Sequence, residues 1–423
     1  MEYETKHALP SGFDYSETLP KTLGGSIQKR TVNVPKNGSS FLPGGVCLID
    51  IQRSPNSVAD FQNAVLRFSV TMGSNASDRG VLNSGAFNFI EQIETFHNSV
   101  PLDNIRNFYT AYQIYYDTQF DQVSRINLGD MLYGSGASIG LFDYGIPLAS
   151  GKKYFFAIPL LAMLGSQTKT FWPTFDMAGF LTLRVTFAGA NKAIWSAGSS
   201  ASNYTIGDVE YQCLMYELSE SPLKMISSPR YLIPSQGIYN WSTVFTSGTQ
   251  ITQLIPFRFR DLRAIYITMR RQVADSTYNY YTHVRDTYKI TNYNFLINGR
   301  QFPPTRVACS TSNNLDAYTE LMKAQHMSLT STKGLGVFNF DNFNASPDPS
   351  AANPGKFMIG LDTEGFVGSN GEIEAGLDTS QSDVIFQAAF DSDISNIGAM
   401  VFDAFAIYGS QLHLEDGQMN VIY

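Results

Sequence analysis

The chain has little of what builds small catalytic and metal centres. Cysteine occurs three times in 423 residues, as Cys47, Cys213 and Cys309. That odd count, with no CxxC or Cys/His spacing, argues against both a disulfide framework and a structural zinc site. The three read as small buried apolar residues. Five histidines, His7, His97, His283, His326 and His413, form no HxH or HExxH pair. No GxSxG, GxxxxGK[ST] or GxGxxG follows a strand pattern, and Gly134-Ser-Gly136 and Gly334-Leu-Gly336 lack the ensuing helix that phosphate binding needs. Charge is sparse at 16% of residues, with a net −8, and basic runs stop at the pairs Lys29-Arg30, Lys152-Lys153 and Arg270-Arg271. No segment could neutralise many phosphates, so direct nucleic-acid packaging is not expected. The N-terminal stretch has no apolar core of signal-peptide length and the chain has no run of about 18 apolar residues, so neither a cleaved signal nor a membrane-spanning helix is expected.

What is present is apolar and turn-forming. Thirty Phe and 23 Tyr stand beside 34 Gly and 18 Pro, a mixture suited to short strands joined by turns. The length exceeds what one hydrophobic core supports, so two domains are expected. Leu66, Phe68, Val70 and Met72 alternate with polar neighbours, as do Leu181, Leu183, Val185 and Phe187. Period two with one apolar face marks half-buried strands of a sandwich. Residues 1–30 show no such pattern and read as an N-terminal arm.

The order of elements recurs. Ile93 to Leu102, with Asn98-Ser99 as a turn, parallels Tyr293 to Phe302, with Asn298-Gly299, at an offset of 200 residues. Asn-Gly is a strong hairpin signal because both residues reach positive φ cheaply. A helical pattern follows each hairpin: Leu102, Ile105, Tyr109, Tyr112 and Tyr116 in the first half, and Ala317, Leu321 and Ala324 capped by Asn313 or Asn314 in the second. Tyr154–Leu160 then parallels Lys356–Asp362, Phe180–Phe187 parallels Asp383–Phe390, and Gly207–Leu218 parallels Gly398–Gly409. The resulting division is an arm at 1–30, a first domain at 31–222, a linker at 223–236 and a second domain at 237–423, with Pro222, Pro229 and Pro234 at the junction expected to break both helix and ladder.

Two features could carry chemistry. The carboxylates Glu91 and Glu94, Glu372 and Glu374, and Asp391 and Asp393 lie in pairs near strands, as a glycosidase would need, but solvated acidic loops look the same. The cluster Tyr278, Tyr280, Tyr281, His283 and Tyr288 reads either as a sugar-stacking platform or as a loop packed on a neighbouring subunit. No residue is singled out as catalytic, cofactor-binding or metal-ligating.

Taken together, the strand-turn-helix unit Ile93 to Tyr116, Phe155 to Leu160, Phe171-Trp172-Pro173 leading into Leu181 to Phe187, Phe295 to Pro304 and Leu412 to Tyr423 resemble the double-jelly-roll major capsid proteins. That lineage spans adenovirus hexons, virophages, polinton-like elements and tailless membrane-containing bacteriophages. The resemblance implies an all-β chain of two consecutive eight-stranded jelly-roll sandwiches with short helices in the connecting loops. It further implies a non-enzymatic shell protein without cofactor, forming pseudo-hexagonal homotrimeric capsomers that tile an icosahedral virion. Its partners would be itself, neighbouring capsomers, penton and minor capsid proteins, with the arm touching an inner membrane or minor proteins. The alternative is a secreted or surface β-sandwich carbohydrate-binding protein, an adhesin or lectin.

Overall fold

The computed structural model describes residues 27–423 except 54, 76–79, 83, 120–127, 129–130, 133–146, 169, 197–202, 311–313, 326–339, 345–354, 365 and 368–372. His7, His326, Glu372 and both glycine pairs of the GxG segments lie outside the described residues. Sixteen strands build two sandwiches. The first holds β1 (Ile27–Asn33), β2 (Val46–Ile51), β3 (Ser57–Met72), β4 (Ile90–His97), β5 (Val100–Arg106), β6 (Lys153–Pro159), β7 (Leu181–Phe187) and β8 (Tyr204–Glu217). The second holds β9 (Arg230–Phe245), β10 (Gln250–Ile255), β11 (Leu262–Arg271), β12 (Ile290–Ile297), β13 (Arg300–Ala308), β14 (Ile359–Asp362), β15 (Val384–Phe390) and β16 (Met400–Glu415).

The first sandwich pairs its strands as β1-β8-β3-β6 and β2-β7-β4-β5, and the second as β9-β16-β11-β14 and β10-β15-β12-β13. Adding eight to each label of the first sandwich gives the second, so the duplication read from the sequence is a duplication of topology. Extra short strands at Ser40–Phe41 and Gln418–Ile422 (β17) pair with β8 and β16. Strands β7 and β15 share one burial pattern, with Leu181, Leu183, Val185 and Phe187 buried in one and Val384, Phe386, Ala388 and Phe390 in the other. Between the layers Phe68 packs on Phe187 at 6.4 Å, and Phe386 packs on Phe402 at 5.3 Å between ring centroids. Burying such rings is the main stabilising contribution of each sandwich.

The Asn98-Ser99 and Asn298-Gly299 turns occupy the same topological place, joining β4 to β5 and β12 to β13. Asn298 and Gly299 take φ of 50° and 71°, and Asn98 takes 54°. The Asp416-Gly417 turn between β16 and β17 does the same, at 50° and 73°. After the hairpins come α1 (Phe108–Gln119) and α2 (Leu315–Ala324). Ala317, Leu321 and Ala324 form the buried face of α2, as expected. Asn314 stands at its N-cap, but its side chain turns away, accepting from the Ser310 N–H at 3.2 Å.

Three expectations need correction. Leu102 and Ile105 belong to β5 and not to the helix. A register shift between Thr95 and Phe96 breaks the period of two there and places apolar side chains three apart, which imitates a helix. The proposed limits at 30 and 236 both cut strands, since β1 begins at Ile27 and β9 at Arg230. Pro234 does not break a ladder: it is exposed, on a strand at the edge of its sheet, where a missing N–H costs nothing. The other prolines of the sixteen strands, Pro101, Pro159, Pro303 and Pro304, likewise fall on edge strands β5, β6 and β13.

Candidate functional site: the seam between the sandwiches

The two sandwiches meet along a buried polar seam. From α1, Asp117 receives Arg285 at 2.6 Å and Lys356 at 3.1 Å, with all three side chains at most 3% exposed. Asn107, which closes β5 in a left-handed conformation, donates to Asn240 and Asp403, each at 3.0 Å. Asp403 also accepts from Arg270 at 3.1 Å, and Arg270 is tied in addition to Asp275. Buried charges are tolerable only when paired and hydrogen-bonded in this way.

The seam continues on both flanks. The ring of His97 lies between the sandwiches, its Nε2 2.7 Å from the Ala178 carbonyl and its Nδ1 accepting from the Met419 N–H at 3.2 Å. This pattern requires the neutral ring. Burial accordingly holds the His97 pKa below its usual 6.5. Burial and the neighbouring Lys356 push His283 down to about 3, against an upward pull from Asp117. Asp103 of β5 is pushed up to about 7 by burial, although the Met163 N–H donates to it at 3.1 Å. The backbone also crosses, through Gly417 to Ala178 at 2.8 Å and Gln167 to Gln236 at 2.9 Å.

Much of the aromatic cluster packs into this seam. Tyr281 stacks on Trp195 of the first half at 5.1 Å and 2°, Ser196 donates to the Tyr278 carbonyl at 2.7 Å, and Tyr288 is fully buried. Tyr281, His283 and Tyr288 are thus enclosed within the chain, while Tyr278 and Tyr280 stay half-buried. Three of the carboxylates serve local structure. Glu91 pairs with Lys192 at 2.8 Å, Glu94 with Arg184 at 3.3 Å, and Asp393 accepts from the Ser395 and Gly248 N–H groups. Cys47, Cys213 and Cys309 are free and buried, and desolvation pushes each thiol up to about 12, far from a reactive thiolate.

Outside the seam, large apolar side chains face outward. Ile27 at the start of β1, Val34 just after it, Leu42, Phe155 on edge strand β6, Phe171 and Phe180 are all more than half exposed. Phe171 rests on Tyr216 at 5.4 Å, and Lys153 lies over Phe155 at 5.1 Å. These six belong to the first half, and Leu232 on β9 and Leu315 in α2 are also more than half exposed. None was singled out from sequence as exposed, because alternation marks which residues share a face and not which face is covered.

Solved structures of the same shape exist. The PBCV-1 VP54 structure fitted into a reconstruction of the virophage Sputnik aligns with a TM-score of 0.64 at 11% identity, over 94% of this chain and 97% of that one. The major capsid protein of mavirus aligns at 0.55 and 11%, over 100% and 97%. That of Faustovirus aligns at 0.57 and 8%, over 97% and 92%. The chain has the double-jelly-roll fold of viral major capsid proteins. At such identities the likeness is one of fold, carried by strand order and layer packing. No protein-family model and no curated protein sequence matches this chain.

Proposed function

We propose that this chain is a structural capsid subunit, a double jelly roll that assembles as a homotrimer and tiles an icosahedral virus shell. The observation that carries this reading is the fusion of two topologically identical sandwiches through a buried ionic seam. A rigid pair of like units gives a threefold assembly six similar faces, so one trimer suits a lattice position with six neighbours. The exposed Phe155, Phe171 and Phe180 supply apolar surface of the kind that neighbouring subunits cover. In this reading the units run from β1 to β8 and from β9 to β17, and the residues before Ile27 form an arm toward minor capsid proteins or an inner membrane. Its other partners are neighbouring capsomers and penton proteins, it resides in the virion, and it has no catalytic task. The carbohydrate-binding alternative loses part of its support, because Tyr281 and Tyr288 are buried.

Light scattering coupled to gel filtration tests the reading. A species of three times the chain's 46.9 kDa is expected, with pseudo-hexagonal particles by electron microscopy. A monodisperse monomer at micromolar concentration would overturn it.

A further inference from the structure

The seam is not filled throughout. A cleft of about 410 Å³ opens between α1, the end of α2 and strands β9, β11 and β16. That volume lies within the range of small-molecule sites, roughly 300 to 1,000 Å³. Its apolar wall includes Ile114, Ile238 and Phe405, all at most 5% exposed. Its polar wall carries Gln325, just beyond α2 and 3% exposed, whose amide oxygen and nitrogen both lack a hydrogen-bond partner. Gln167, 9% exposed, adds an unpartnered amide oxygen. Buried polar groups are nearly always paired, so two amides left open on one cleft call for an occupant.

We propose that this cleft binds a small uncharged molecule bearing a primary amide on an apolar body. An amide meets an amide reciprocally, one N–H···O bond in each direction, and so answers both open atoms of Gln325 at once. A second N–H of the same ligand group is available to the Gln167 oxygen, while the apolar body lies on Ile238 and Phe405. The charged side chains of the cleft argue against an anion: Arg263 is already held by Asp261 at 2.8 Å, and the Glu364 carboxylate repels negative charge. The inference holds whether or not the chain builds a shell. An occupant would bridge the two sandwiches and raise the melting temperature by mass action.

Benzamide is a suitable probe, with benzoate and toluene as controls, on the full chain in its native assembly. Calorimetry and saturation-transfer NMR are expected to show saturable benzamide binding, at least tenfold weaker binding of benzoate and toluene, and a rise in melting temperature with benzamide alone. Gln325→Leu is expected to weaken benzamide at least tenfold without lowering the melting temperature of the free protein. Ala264→Leu, which narrows the same cleft, serves as the second variant and is expected to lose binding too. Absent benzamide binding, toluene binding as tightly, or unchanged affinity in either folded variant overturns the proposal. Should neither variant fold, electron density for benzamide beside Gln325 in the unsubstituted protein supports the assignment, and its absence there at saturating probe overturns it.

Discussion

Asp117 and Arg285, 168 positions apart in sequence, lie 2.6 Å from one another with less than one-twentieth of either side chain exposed. Lys356 shares the same carboxylate. Removing this carboxylate takes an ion-pair partner from two buried cations, which costs about 3–5 kcal/mol. Asp117→Asn is therefore expected to destabilise by that amount in denaturant unfolding. Replacing all three residues with apolar ones of similar size is expected to restore most of the loss. If the single variant loses less than about 1 kcal/mol, the pair does not secure the seam.

Acid is expected to weaken the seam. His97 and His283 both hold pKa values below 6.5, so the unfolded chain takes up protons that the folded chain refuses. The contribution of both is intact above pH 6.5 and is lost as pH falls below it, continuing for His283 down to about 3. At one unit of pH per about 1.36 kcal/mol, His283 alone removes roughly 2 kcal/mol by pH 5. Because Asp103 titrates in the opposite sense, the comparison is between chains: from pH 8 to pH 5 the melting temperature of the unsubstituted chain should fall relative to that of His97→Gln, whose amide can replace both ring contacts.

Asp103 acts in the opposite sense. Its folded pKa of about 7 exceeds the ordinary 3.8, so the stability tied to its protonated form is complete below 3.8 and is lost as pH rises through 7. Asp103→Asn is expected to raise the melting temperature at pH 8 and to leave it nearly unchanged at pH 4. An equal shift at both values would show that packing, and not charge, is responsible.

Two glycines separate backbone from packing. Gly299 sits at φ +71° with open space where a Cβ would be, so Gly299→Ala is expected to cost only the left-handed penalty, about 1–2 kcal/mol. At Gly237 a Cβ would lie 2.2 Å from the Tyr408 ring, which stacks on Phe259 at 4.1 Å. Gly237→Ala is expected to cost more, and Tyr408→Leu in the same chain should recover part of it. Equal costs at the two sites would contradict the register of β9 on β16.

Much of the fold is legible along the chain because its signals are local. The alternation of Leu181 to Phe187 marks a strand by itself, and the Asn298-Gly299 dipeptide marks a hairpin by the φ it tolerates. Local signals fail where a neighbour changes their meaning. Pro234 reads as a breaker until its strand is known to be an edge, and Leu102 with Ile105 reads as a helix until the shift at Thr95 is seen. The seam is least legible, because Asp117, Arg285 and Lys356 carry no spacing that links them, and Tyr281 reveals its partner only once Trp195 is placed beside it.

The order in which the strands are made bears on how the molecule is born. The whole framework of the first sandwich is in hand once Glu217 has been synthesised, and the second does not begin until Arg230. The first unit can thus collapse on the ribosome around Phe68 and Phe187 while the second is still emerging. The contact between His97 and Met419 spans 322 positions, so it closes only after Met419 has been added. Newly made chains should pass through a stage with one finished sandwich and an open His97 flank, and chaperones or early neighbours would meet that face before β17 does.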